Sequence, residues 1–245
     1  FCTSTDGGHT WSPPRVIPMP SDLLEVSHGI LQTSSGRLLA PTATIHPGAL
    51  GERVILAISD DGGRTWPRHA VALQDPDHAL GYFEQKISEL SPGRIIAAAW
   101  TFTFADVSDR PNSYAISEDD GLTWSAPRSI GTRGQTISVV LLGPDAGDRV
   151  MLLYNRRYGD QGIVMAIARM TDEDWPIEFE GLLYDAHGRR AGQQREDGLA
   201  EMLDFKFGFP TAVRLDDGTY LASWWSVDDP SGRTGVRWAK LRVTL

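Results

Sequence analysis

The 245-residue chain contains one cysteine, Cys2. A single thiol closes no internal disulfide and builds no thiolate metal site, so neither a disulfide scaffold nor a cysteine-based zinc module is available. Long apolar runs are also missing. The longest mostly apolar stretch, Ile95 to Ala105, is interrupted by two threonines and is about half of the ~20 residues that a membrane-crossing helix requires. No membrane span is expected. Positive charge is scarce: 23 Lys and Arg stand against 32 Asp and Glu, a formal net charge of −9. Such a surface repels a phosphate backbone, which argues against nucleic acid as a partner. No charged-then-apolar leader follows Phe1, so any signal peptide is expected upstream of it.

What is abundant is turn chemistry and tryptophan, with 25 Gly, 15 Pro and 8 Trp beside a 41% hydrophobic fraction. The composition is globular, and the length suits a single all-β domain. One pattern, S-x-D-x-G-x-T-W, occurs three times: Ser4 to Trp11, Ser59 to Trp66 and Ser117 to Trp124, with the tryptophans 55 and 58 positions apart. A degenerate fourth copy, Ala168 to Trp175, keeps the tryptophan 51 positions on but has lost the glycine. Asp and Ser side chains capture nearby backbone N–H groups, glycines permit positive φ and the indole covers the turn. The carboxylates are consumed locally and no Glu closes the loop, so the boxes read as structural turns, not calcium loops or catalytic acids.

A companion repeat lies between the boxes, at Ser35-Gly36-Arg37, Pro92-Gly93-Arg94, Gly147-Asp148-Arg149 and Asp217-Gly218-Thr219. Each is a tight turn between short β-rich runs, which predicts a hairpin. With the hairpin turned by the box, each period supplies about four strands, the sequence sign of a β-propeller blade. Residues 185–204 carry the least pattern and are expected to form a long loop insertion, with a short helix over 197–203, inside one domain spanning 1–245.

The box pattern resembles the Asp box, or BNR repeat, of the sialidase (neuraminidase) superfamily. That resemblance implies an all-β, six-bladed propeller. At 55 to 58 residues per period the chain falls short of six blades, so an N-terminally truncated propeller is expected. The resemblance further implies a glycoside hydrolase of exo-α-sialidase type, cleaving terminal sugars from glycans, with no cofactor and no metal. A glycan or sialoglycoconjugate is the implied partner, and secretion or periplasmic export the implied location. Asp boxes also occur in propellers that hydrolyse nothing, so a glycan-binding propeller without catalysis is the alternative.

The family's active site lies at the central axis, on the face opposite the boxes. Strand starts there include His28, Tyr82, Glu84, Gln135 and Phe209; strand ends include Trp100, Asn155, Arg156, Arg157, Trp224 and Trp225. Tyr82-Phe-Glu84 to Gly93-Arg94 resembles the family's Glu-x-x-x-x-x-Leu-x-x-Gly-Arg segment, which implies that Glu84 is catalytic. Tyr82 is the candidate nucleophile, and Asp22, with Glu25 beside it, the candidate acid. Arg156 and Arg157 are candidates for gripping a substrate carboxylate, since guanidinium forks match it bidentately. His28, Gln135, Trp100, Phe209 and Trp225 complete the expected substrate-binding set. Two departures stand out. Phe209 occupies the place of the family's nucleophilic tyrosine and has no oxygen to attack with, and Trp100 stands where an arginine often closes the hairpin.

Overall fold

The computed structural model describes residues 1–172, 174–186, 206–228 and 231–244. Among the described residues, four antiparallel sheets follow one another along the chain. The first holds β1 (Leu24–Glu25), β2 (Leu31–Gln32), β3 (Leu38–His46), β4 (Ala49–Ser59) and β5 (Arg68–Gln74). The second holds β6 (Leu80–Ser91), β7 (Arg94–Thr103), β8 (Asp109–Ser117) and β9 (Arg128–Ser129). In the third lie β10 (Gln135–Leu141), β11 (Arg149–Arg156), β12 (Gly162–Arg169) and β13 (Ile177–Asp185). The fourth has β14 (Phe207–Arg214), β15 (Tyr220–Asp228) and β16 (Arg233–Leu241). The all-β expectation holds, but the expected six blades do not: the described residues form a propeller of four blades. The period explains the difference, because four units of 55 to 58 residues already fill the length, and the number six came from the resemblance alone. Apart from Asp185 and Ala186, the expected loop insertion and its helix lie outside the described residues.

Packing follows from strand alternation. Along β7, Ile95, Ala97 and Ala99 join a core shared with the first sheet, whereas Ile96 and Ala98 join one shared with the third. Along β11, Val150, Leu152 and Tyr154 face the second sheet while Met151 and Leu153 face the fourth. A strand buried on both faces needs apolar residues at every position, which is why these segments read as continuous runs. Glycine permits the closest approach between sheets. A Cβ on Gly51, whose φ is +68°, would lie 2.4 Å from the Tyr82 carbonyl oxygen.

The three boxes form the same hydrogen-bonded turn. In the second, Ser59 Oγ accepts the Gly63 N–H at 2.9 Å and donates to Asp61 Oδ1 at 2.8 Å, while Asp61 accepts the Thr65 N–H and hydroxyl at 2.9 and 2.7 Å. Residues 4–10 and 117–123 repeat these contacts. Bonds from Thr65 hold the Asp61 carboxyl near pKa 2, and bonds from Thr10 do the same for Asp6. In the degenerate copy, Trp175 instead packs on Tyr114 at 4.7 Å between ring centroids.

Candidate active site at the propeller axis

The innermost strands of the second, third and fourth sheets share one irregularity. Glu84 and Gln85 face only Ala99, Thr136 and Ile137 face only Tyr154, and Phe209 and Pro210 face only Trp224. Each is a bulge whose first residue is left-handed without being glycine: Glu84 at φ +48°, Thr136 at +51° and Phe209 at +58°. Such a bulge re-aims a side chain that regular pleating would hold against a neighbouring sheet. In the first sheet the inner strand is interrupted at the same level, between Glu25 and Leu31, around His28. All four breaks lie at the end of the sheets remote from the boxes.

Side chains from these breaks meet. Thr136 Oγ1 donates to Glu84 Oε2 and accepts from Asn155 Nδ2 at 3.2 Å. Lys86, two residues beyond Glu84, donates to Ser138 Oγ at 2.8 Å and to the Pro210 carbonyl at 2.6 Å, tying three sheets together. Its ammonium also lies 4.7 Å from the Phe209 ring centroid. Arg157 donates to Gln135 Oε1 and, at 2.8 Å, to the Phe207 carbonyl. A Cβ on Gly208 would stand 2.9 Å from Arg157 Nη2, 3.1 Å from Trp225 Nε1 and 3.3 Å from Asn155 Nδ2, so glycine here lets those three side chains converge.

Burial at the axis shifts charge states. The Glu25 carboxyl is pushed up to about 8 by burial and then by the charge of Glu84. Burial also raises Glu84, against the opposing pull of Arg157 and Lys86. Lys86 is lowered to about 7 by burial, resisted by Glu84, and His28 is lowered to about 4 by burial and by Lys86. Asp109, at the start of β8, is raised by burial against a hydrogen bond from Trp100 and the charges of Arg133 and Arg157. A carboxylic acid that keeps its proton near neutral pH beside a second carboxyl is a proton donor paired with an acceptor, the arrangement that general acid–base chemistry needs.

The residues singled out in the sequence separate into two groups. Glu84, His28, Gln135, Arg157, Phe209 and Trp225 belong to the axial breaks or touch their residues. Tyr82 is buried in the core between the first two sheets, where burial and then the charge of Asp75 raise its hydroxyl well above the usual range. Trp100 is also core, between Phe83 and Phe102, with its indole N–H on Asp109 at 2.7 Å. Arg156 turns outward to Glu180 at 2.7 Å, and Asp22 is exposed. Lys86, Thr136 and Asp109 were not among the expected site residues. Lys86 lies in the segment that carries Glu84, and Asp109 follows the loop after Trp100 on the same end of the sheet, so position alone could have flagged both. Thr136 had no signal, because a bulge leaves none in a single sequence. Among the described residues no three His, Cys, Asp or Glu side chains converge as metal ligands would, and no helix is long and apolar enough to cross a membrane.

Solved structures share this architecture. A protein of unknown function from Dyadobacter fermentans is 25% identical with a TM-score of 0.73, covering 99% of this chain and 63% of its own. NanB with Optactamide is 18% identical with a TM-score of 0.65, covering 98% and 35%. The GH93 α-L-arabinofuranosidase of Fusarium graminearum with arabinobiose is 17% identical with a TM-score of 0.58, covering 86% and 60%. The chain therefore spans less than two thirds of each of these proteins. No curated protein matches the sequence. The BNR repeat-like domain family matches residues 1–222, most of the chain and all three boxes. The chain belongs to the BNR repeat-like domain family.

Proposed function

We propose that the axial site is that of a sialidase-like glycoside hydrolase with altered sugar specificity, acting on terminal sugars of glycans. The observation that carries this reading is the pairing of Glu25 and Glu84, two partly buried carboxyls near enough for the charge of one to raise the pKa of the other. Glycosidic cleavage asks for such a pair: one carboxylic acid protonates the leaving oxygen, and the other acts on the opposite side as base or nucleophile. Glu25, raised to about 8, is the acid. Glu84, oriented by the Thr136 hydroxyl, is the second group. The glycoside hydrolases among the structural neighbours support the reading through the fold they share.

Phe209 favours a second reading. It has no oxygen, its ring sits under the Lys86 ammonium, and a propeller that binds glycans without cleaving them needs no nucleophile. A panel of fluorogenic glycosides, assayed with the chain and its Glu84→Gln variant, separates the two. Turnover lost by at least about 100-fold in the variant, with glycan binding retained, is expected of the hydrolase. Glycan binding with no turnover on any substrate by either protein would overturn it in favour of the second reading.

A further inference from the structure

We infer that the axial site takes a neutral sugar and discriminates against sialosides and other acidic sugars, an inference that rests on the glycan-directed reading of the same site. An acidic sugar brings a carboxylate, and a site that selects it must offer guanidinium or ammonium groups with donors to spare. The cations here are committed to the walls. Arg157 donates to Gln135 Oε1 and the Phe207 carbonyl and lies 5.6 Å over the Phe207 ring. Lys86 is bound to Ser138 and Pro210 and covers Phe209. Arg156 is paired with Glu180 and bonded to the Asp160 carbonyl. Arg133 stacks on Tyr158 at 5.0 Å, exposed at the rim.

Three carboxyl groups, Glu25, Glu84 and Asp109, share the same end of the axis. Burial at this end already drives these carboxyls towards their neutral forms, and the same desolvation penalises a substrate carboxylate entering beside them. The unfilled capacity of the site is neutral. Asn155 is 1% exposed and its Oδ1 has no partner, and Gln135 is 2% exposed with Nε2 unpartnered. A buried amide oxygen and a buried amide N–H match the donor and acceptor faces of sugar hydroxyls, and neither offsets a charge. Half-buried Phe209 and Trp225 add apolar faces of the kind that stack on a pyranose or furanose ring.

The test uses 4-nitrophenyl glycosides of neutral pentoses and hexoses beside the corresponding sialoside and glucuronide, together with a glycan array carrying both classes. Neutral substrates are expected to exceed acidic ones by at least about 100-fold in kcat/KM. A sialoside or uronide turned over as well as the best neutral substrate overturns the inference. Absence of all turnover removes the hydrolase reading, and the array then decides: retention of neutral glycans alone upholds the inference, whereas retention of acidic glycans alone, or of neither class, overturns it.

Discussion

Replacing Glu25 by Gln tests the electrostatics on which the site depends. In the native chain the Glu25 carboxyl rises from its ordinary 4.5 to about 8; in the unfolded chain it stays near 4.5. Between those values the native state holds a proton that the unfolded state has lost, so stability falls as pH rises through this window and is level above it. At about 1.4 kcal/mol per pH unit the displacement bounds the loss at about 5 kcal/mol. Glu25 is only partly buried, and solvent screening brings the expected loss to ~2 kcal/mol. Gln resembles the protonated acid in size and cannot ionise. Wild type and variant should therefore agree within about 0.5 kcal/mol at pH 5, and the variant should be ~2 kcal/mol more stable at pH 8.5. Urea unfolding of both proteins across that range measures the difference. Taking the difference matters, because Lys86 and His28 carry the opposite sign. Each is lowered in the native state, so each contributes a penalty at low pH that is relieved as pH rises to its unfolded value. A variant-minus-wild-type curve that stays flat from pH 5 to 8.5 would show Glu25 to be an ordinary solvated carboxylate, and its role as the acid would fall with it.

Three further substitutions address the scaffold. Ser117→Ala removes the buried hydroxyl that accepts the Gly121 N–H at 2.8 Å and should cost ~1–3 kcal/mol by urea unfolding; an unchanged midpoint would show that the box turn does not depend on its serine. Gly51→Ala drives a Cβ to 2.4 Å from the Tyr82 carbonyl at a positive φ and should cost ~2 kcal/mol or more, read as a lowered thermal midpoint. Trp100→Phe takes the indole N–H from Asp109. A loss of ~1–3 kcal/mol is expected in the same unfolding assay, larger where Asp109 is ionised than where it keeps its proton, because the carboxylate depends most on the donor; a loss that does not grow as pH rises would refute this.

The fold was legible because it repeats. Ser59, Asp61, Gly63, Thr65 and Trp66 have local reasons to occur together, and three copies at even spacing state the blade period outright. Residues such as Ile95 to Ala99 lack alternation because their strand is buried on both faces. The number of blades was not legible in the same way, since nothing in one blade specifies how many neighbours it has. At the site, Glu84 was visible through the segment around it, but Tyr82 and Trp100 were placed by projecting a regular strand towards the axis. The bulges break that projection. Beyond each, the side-chain alternation is reset, so Glu84 leaves the pleat while Tyr82, two residues earlier, remains in the core.

The bulges also link strain to chemistry. A non-glycine residue in the left-handed region costs ~1–2 kcal/mol, and a β-branched threonine is the least suited of all. In the turns of the boxes and inner hairpins this chain mostly puts glycine where φ is positive, as at Gly63, Gly121, Gly36, Gly93 and Gly218, and outside the bulges His78, Val107 and Asp120 are non-glycine residues of this kind, all in turns or loops. At Glu84, Thr136 and Phe209 it does not, and those positions fall in register on three inner strands around one axis. Each strained side chain there has a partner across a sheet boundary, Glu84 and Thr136 with each other and Phe209 with Lys86, and Thr136 is held within its own sheet by Asn155. Strain that recurs at equivalent positions and points side chains at a common centre is held in place by what those side chains do. One backbone device thus serves three blades. The residue placed in each slot sets what that blade contributes: a carboxylate, a hydroxyl that orients it, and an apolar ring.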